Sequence, residues 1–274
     1  MTDHDASGPL PLFYGSPRIL TAQAHRDLHL KGERDFTFSG VTNAVPLMTA
    51  EFIEAQGTCP IVFVGNPVHP AAVLGLGKDN AFVTEGVWAE GRYIPAYVRR
   101  YPFVFIETVG GAQLALGVDM ASDRIVSSPE GGDGLVALFT GDEPSQFTRD
   151  ALAFSAALQA SQIETRAFCA ALVTADLLVD QQAHGTLSDG TPFNVQGFRV
   201  VDAAKFAALP DDVVSDWHRK GWLALVHYHL ASLARFRDLL ALAGAASQPL
   251  EALAAHDAVA AGAAPTTAPM KTGT

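Results

Sequence analysis

The sequence predicts an α+β protein, a mainly antiparallel β-rich N-terminal half packed against a helical C-terminal half. Two observations carry this reading. Up to about residue 140, apolar residues come in short runs separated by Gly, Pro and Asp, the spacing of short strands joined by turns. From Gln146 onward the chain is rich in Ala, Leu and Gln, and apolar residues recur near helical spacing. Four segments follow: an extended lead-in (1–18), a β-rich region (19–140), a helical region with an inserted hairpin (141–246) and a mobile tail (247–274). The two central segments read as one domain.

Taken in order, the Pro- and Gly-rich lead-in gives way to Leu28-His29-Leu30-Lys31 and Phe36-Thr37-Phe38, which alternate as strands do. Thr49 is placed to cap a short helix running through Ile53. Cys59-Pro60-Ile61-Val62-Phe63-Val64 is a continuous apolar run between Gly57 and Gly65, the pattern of a strand buried on both faces. Residues 71–76 and 81–83 are expected to form a hairpin around Gly77-Lys78-Asp79-Asn80, whose small polar residues suit a tight turn. The pair Gly75 and Gly77 is a turn and not a dinucleotide loop, because Asn80 stands where a third glycine is needed. Residues 112–118, 124–126 and 135–139 supply three further strands.

Asp142, Pro144 and Ser145 together signal a helix start. The Pro- and Gly-free stretch from Gln146 to about His184 is expected to be one long helix or two stacked ones. Asp189-Gly190 makes a hairpin turn before Phe198-Arg199-Val200-Val201. Pro210-Asp211-Asp212 opens another helix that breaks at Gly221, and a last one runs from Trp222 to Leu242 with Leu225, His229, Ser232, Phe236 and Leu239 on one stripe.

An apolar share of 49% is ample for a sizeable core, and a formal net charge of -11 argues against a nucleic-acid binder, which needs a basic face. Cys59 and Cys169 lack partners at metal spacing and read as buried thiols, in keeping with a reducing compartment. The N-terminal MTDHDASGPLPL has acids where a secretory signal carries cations, and no window reaches the ~18 apolar residues of a membrane span. A soluble, cytoplasmic protein is expected.

The densest stretch for function is GVWAEGRYIPAYVRRYPFVF, from Gly86 to Phe105. Read as an extended strand, it puts Tyr93, Tyr97, Arg99 and Tyr101 on one face and Ile94, Ala96, Val98 and Arg100 on the other. With Trp88 beside them, Tyr93, Tyr97, Arg99, Arg100 and Tyr101 form a candidate ligand-binding surface for a carboxylate, a phosphate or a peptide terminus. The structural alternative pairs the two arginines with Glu51, Asp119 or Glu107. Pro95 and Pro102 place the strand at an edge or a bulge, which favours a peptide or protein client joined by strand addition. A homo-oligomer stays open.

CPIVFV followed by AVLGLG and Asn80, then WAEGRYIPAYVRRYPF, QGFRVVDAAKFAAL and GWLALVHYHLASL, resemble the SapC family of bacterial proteins in content and order. The resemblance implies an accessory protein linked to surface-layer, export or outer-membrane receptor systems. The family name comes from a surface-array system, and relatives often lie beside receptor and halogenase-like genes. It carries over no catalytic residue and no cofactor, so binding leads over catalysis. The alternative is a non-haem iron, 2-oxoglutarate-dependent oxygenase acting on a peptide or small molecule, with His25, Asp27 and a distal histidine, His229, as its facial triad. His227 and His229, two apart on a helix, face different sides and cannot both serve. A purely structural subunit is the third reading.

Overall fold

The computed structural model describes residues 10–107, 114–186 and 192–243. Its largest sheet is antiparallel and five-stranded, in the order Leu178–Thr186, Pro192–Val201, Ile61–Val64, His69–Val73 and Ala44–Pro46. The apolar run predicted as a fully covered strand lies at the middle of this sheet, and Ile61, Val62 and Phe63 are buried. Continuous apolarity without alternation requires cover on both faces, which only an inner strand receives.

The rest of the β region forms two short two-stranded ribbons, Val83–Thr84 with Val87–Trp88 and Phe139–Thr140 with Glu143–Pro144, and two three-stranded sheets. One orders Pro17–Ile19, Leu114–Asp119 and Phe103–Glu107; the other orders Ile125–Ser127, Leu28–Lys31 and Leu135–Ala137. Leu28, Leu30, Phe103, Leu116, Val118 and Leu138 join these sheets in a smaller core of their own.

One long helix, Gln146–Thr174, ties the two halves together. Ser145 caps it, its Oγ accepting the Thr148 N–H at 3.2 Å. Near its start Phe147 packs on Phe103, and further along Phe168 meets Phe52 and Phe63 of the larger core. The α+β architecture is as the sequence predicts, with antiparallel sheets first and helices after.

Several local expectations are corrected. The long helix stops at Thr174, where Asp176 turns with φ +51°, and Leu178–Thr186 is a strand paired along its length with Pro192–Val201. A ladder of main-chain bonds to a neighbouring strand outweighs weak helical propensity there. Phe36 to Phe38 is not a strand: Thr37–Ser39 is a 3₁₀ turn held by the Asp35 carboxylate, which accepts the Thr37 N–H and hydroxyl. The hairpin expected between 71–76 and 81–83 is also absent. His69–Val73 pairs with Ile61–Val64 and Ala44–Pro46, while Val83–Thr84 pairs with Val87–Trp88. The helix expected over 222–242 is interrupted by a 3₁₀ turn, Leu233–Arg235, between Trp222–Ser232 and Phe236–Leu242. The Asp189-Gly190 turn, the first half of the lead-in and the 247–274 tail lie outside the described residues. Among the described residues, no helix is long and apolar enough to cross a membrane.

Candidate functional site

The aromatic stretch is not an extended strand. Pro95 sets φ at -54° and opens a helical turn, Ala96–Arg99, in which the Val98 and Arg99 N–H groups return to the Pro95 carbonyl. A helical turn groups residues three apart instead of two. Tyr97 and Arg100 therefore meet, with the guanidinium centred 4.2 Å from the Tyr97 ring and 5.7 Å from that of Tyr14. Arg99 goes elsewhere: exposed, it stacks on Tyr93 and on Phe154 of the long helix, and its Nε donates to the Ile94 carbonyl at 3.0 Å. The strand comes later, at Phe103–Glu107, and among the described residues pairs only with Leu114–Asp119, so the predicted edge exists but is displaced along the chain.

Glu51 is the acid around which the turn is assembled. Its Oε1 accepts the Ala96 N–H at 2.6 Å and the Tyr93 hydroxyl at 2.9 Å, and its Oε2 accepts the Met48 N–H at 2.8 Å. Burial raises its carboxyl above the usual carboxylate range despite these bonds and the nearby Arg99 charge. Asp119 is likewise committed, accepting from the backbone of Gly15 and Ser16 and from the Tyr101 hydroxyl. Neither acid forms a salt bridge with Arg99 or Arg100, so in place of the expected ion pairs this region is held by hydrogen bonds and ring stacking; the Glu107 side chain lies outside what the structure describes.

The other predicted positions separate. Trp88 is a core residue stacked on Phe82 with its edge to Phe36. Tyr101 is buried against Phe38. The iron set does not assemble. His25 accepts the Thr21 N–H in a short surface helix, Asp27 is exposed, and His229 is fully buried elsewhere, between two strands. Its Nδ1 donates to the Ile61 carbonyl at 2.8 Å and its Nε2 accepts the Val201 N–H at 3.0 Å, so neither nitrogen is available to a metal. His227 packs on Phe206. Among the described residues, no three His, Cys, Asp or Glu side chains converge on a point.

What the structure does assemble is a cleft of about 1110 Å³ between the long helix, the segments 46–51 and 66–70, and the turn carrying Tyr97 and Arg100. Ser155, Gln159, Gln162, Arg166, Cys169 and Val173 line it from the helix, at alternating steps of four and three that keep one face toward the cleft. From Ser155 to Val173 that face runs ~27 Å at 1.5 Å per residue. Arg199 enters from the five-stranded sheet, donating to the Gly65 carbonyl at 2.7 Å and lying near Cys169. Three arginines thus border the cleft, and the acid among its walls, Glu51, is already bonded to three donors. Burial pushes the Cys169 thiol up to about 12.

Two donors at one end have no partner among the described residues. They are Arg100 Nε and the hydroxyl of Ser155, a side chain only 5% exposed. Both residues line the cleft, and the stretches of chain that carry them meet, since Arg99, next to Arg100, stacks on Phe154, next to Ser155. Arg100 was foreseen; Ser155, Gln159, Gln162, Arg166 and Arg199 were missed. The available signal was the polar stripe Ser155, Gln159, Gln162, Arg166 within an otherwise Ala- and Leu-rich helix.

No curated protein and no solved structure matches the chain. The SapC family model matches residues 20–239, a span that contains the three main sheets except for the strand Pro17–Ile19, together with the long helix and the cleft. On that match, over most of its length, the chain belongs to the SapC family.

Proposed function

We propose that this SapC protein is a binding protein whose client, an extended polypeptide segment, lies in the cleft along the long helix. The carrying observation is the helix face from Ser155 to Val173, which lines a cleft larger than the 300–1,000 Å³ typical of small-molecule sites. A wall of ~27 Å accommodates about eight residues at 3.3 Å each. Its chemistry suits a main chain. Gln159 and Gln162 offer amides that donate and accept, while Leu47, Leu158 and Val104 offer apolar contact between them. Edge strands from two sheets, Ala44–Pro46 and Phe103–Glu107, contribute Pro46, Val104 and Phe105 to the same walls, which supports pairing by strand addition. In keeping with the family resemblance, the client is a component of a surface-layer, export or outer-membrane receptor system.

A photo-crosslinking phenylalanine analogue placed at Gln162, which lines the cleft, or at Ile163, which is 68% exposed and does not, tests this in the native host. The expected result is an adduct from position 162 that maps to one short segment of one polypeptide, and a synthetic peptide of that segment that competes. Equal adducts from both positions, or none from 162, would overturn the reading.

A further inference from the structure

We propose that the Arg100–Ser155 end of the cleft is a carboxylate site that receives the C-terminus of the bound segment. The inference rests on the cleft being the client site and adds the direction in which the client lies. Three observations meet at this end. Arg100 has its guanidinium 4.2 Å from the centre of the Tyr97 ring and 5.7 Å from that of Tyr14, and it interacts with both tyrosine hydroxyls, so its position is set before any ligand arrives. Its Nε is buried with no acceptor in reach. The Ser155 hydroxyl, also buried and lining the cleft, has no partner either.

Buried donors left unpaired are costly, and a group that accepts from both relieves the cost. A carboxylate has two oxygens with about four acceptor positions and matches a planar guanidinium edge. Glu51, the acid among the cleft walls, cannot supply it, and neither can Asp119, because both carboxylates already accept from backbone N–H groups and tyrosine hydroxyls. Toward the other end, Arg199 bonds the Gly65 carbonyl and Arg166 is exposed, so neither offers an equally enclosed pair of free donors. A carboxylate reaches such a site as the end of a peptide or as a free acid with an apolar tail, and the first is the assignment made here.

The test uses the full chain immobilised and presented with a degenerate eight-residue peptide library, once with free C-termini and once amidated, beside thermal denaturation in sodium octanoate. The expected result is that free-ended peptides are retained roughly ten-fold or more over amidated ones, and that Arg100→Gln and Ser155→Ala each abolish the preference. Ser155→Ala guards against a folding artefact, because the hydroxyl makes no bond whose loss would unfold the chain. Equal retention of the two libraries would overturn the carboxylate site and leave the cleft reading standing. No peptide retention, with stabilisation by octanoate that needs Arg100, would overturn the C-terminal assignment and the peptide reading while keeping a carboxylate site for a free acid. No response to any probe would overturn both.

Discussion

Glu51 Oε1 accepts the backbone N–H of Ala96 at 2.6 Å, joining the 3₁₀ turn Thr49–Glu51 to the helical turn that presents Tyr97 and Arg100. One carboxylate therefore decides the geometry of the cleft's cationic end. Glu51→Ala strands one buried donor, that of Ala96, and two part-buried ones, those of Met48 and Tyr93, and should cost about 2–4 kcal/mol in urea unfolding.

The same residue predicts a pH dependence with a definite sign. Burial raises the folded-state pKa of Glu51 above its ordinary value of 4.5, so the folded protein holds this proton more tightly than the unfolded chain. Its protonation contributes stability that is fully present below 4.5 and lost as pH rises through the raised folded value. The difference in unfolding free energy between wild type and Glu51→Gln should shrink over that window. A difference that grows with pH would reverse the sign argued here.

His229 is expected to behave as a structural residue. His229→Leu keeps the volume but leaves the Ile61 carbonyl and Val201 N–H without their partner, and should cost about 2–4 kcal/mol by chemical denaturation. His25→Ala should stay within about 0.5 kcal/mol, since His25 belongs to a short surface helix with no buried residue.

Two glycines in one loop should respond oppositely. A Cβ on Gly75 would meet the carbonyl oxygen of Asp79, a backbone atom that cannot swing aside, whereas one on Gly77 meets open space. Gly75→Ala should lower stability by more than about 2 kcal/mol and Gly77→Ala by less than about 0.5, both read from thermal or urea melts.

Neither cysteine should react while the protein is folded. Burial pushes the Cys59 and Cys169 thiols up to about 12, leaving little thiolate at mildly alkaline pH. Ellman's reagent should develop colour only after urea is added, with both thiols then titrating together.

The elements written locally were legible. Ile61-Val62-Phe63-Val64 needs no partner to declare itself an inner strand, and Ser145 and Pro210 mark helix starts by groups that act within a few residues. The stretch 93–101 was not, because Pro95 is equally at home beside an edge strand and before a helical turn. The choice falls to Glu51, which bonds Ala96 from far along the chain.

The α+β class, the central strand, the capped start of the helix at Ser145 and the SapC resemblance were readable along the chain, because alternation, capping and composition act over short distances. Which arginines line the cleft is set only in the folded chain. Arg100, Ser155, Arg166 and Arg199 carry no signature in common along the chain, and a cleft exists only once a helix is laid across two sheets. The tertiary structure also keeps the three candidate ligands from converging. His25, Asp27 and His229 have the right chemistry, but packing spends both nitrogens of the last on the main chain of two strands.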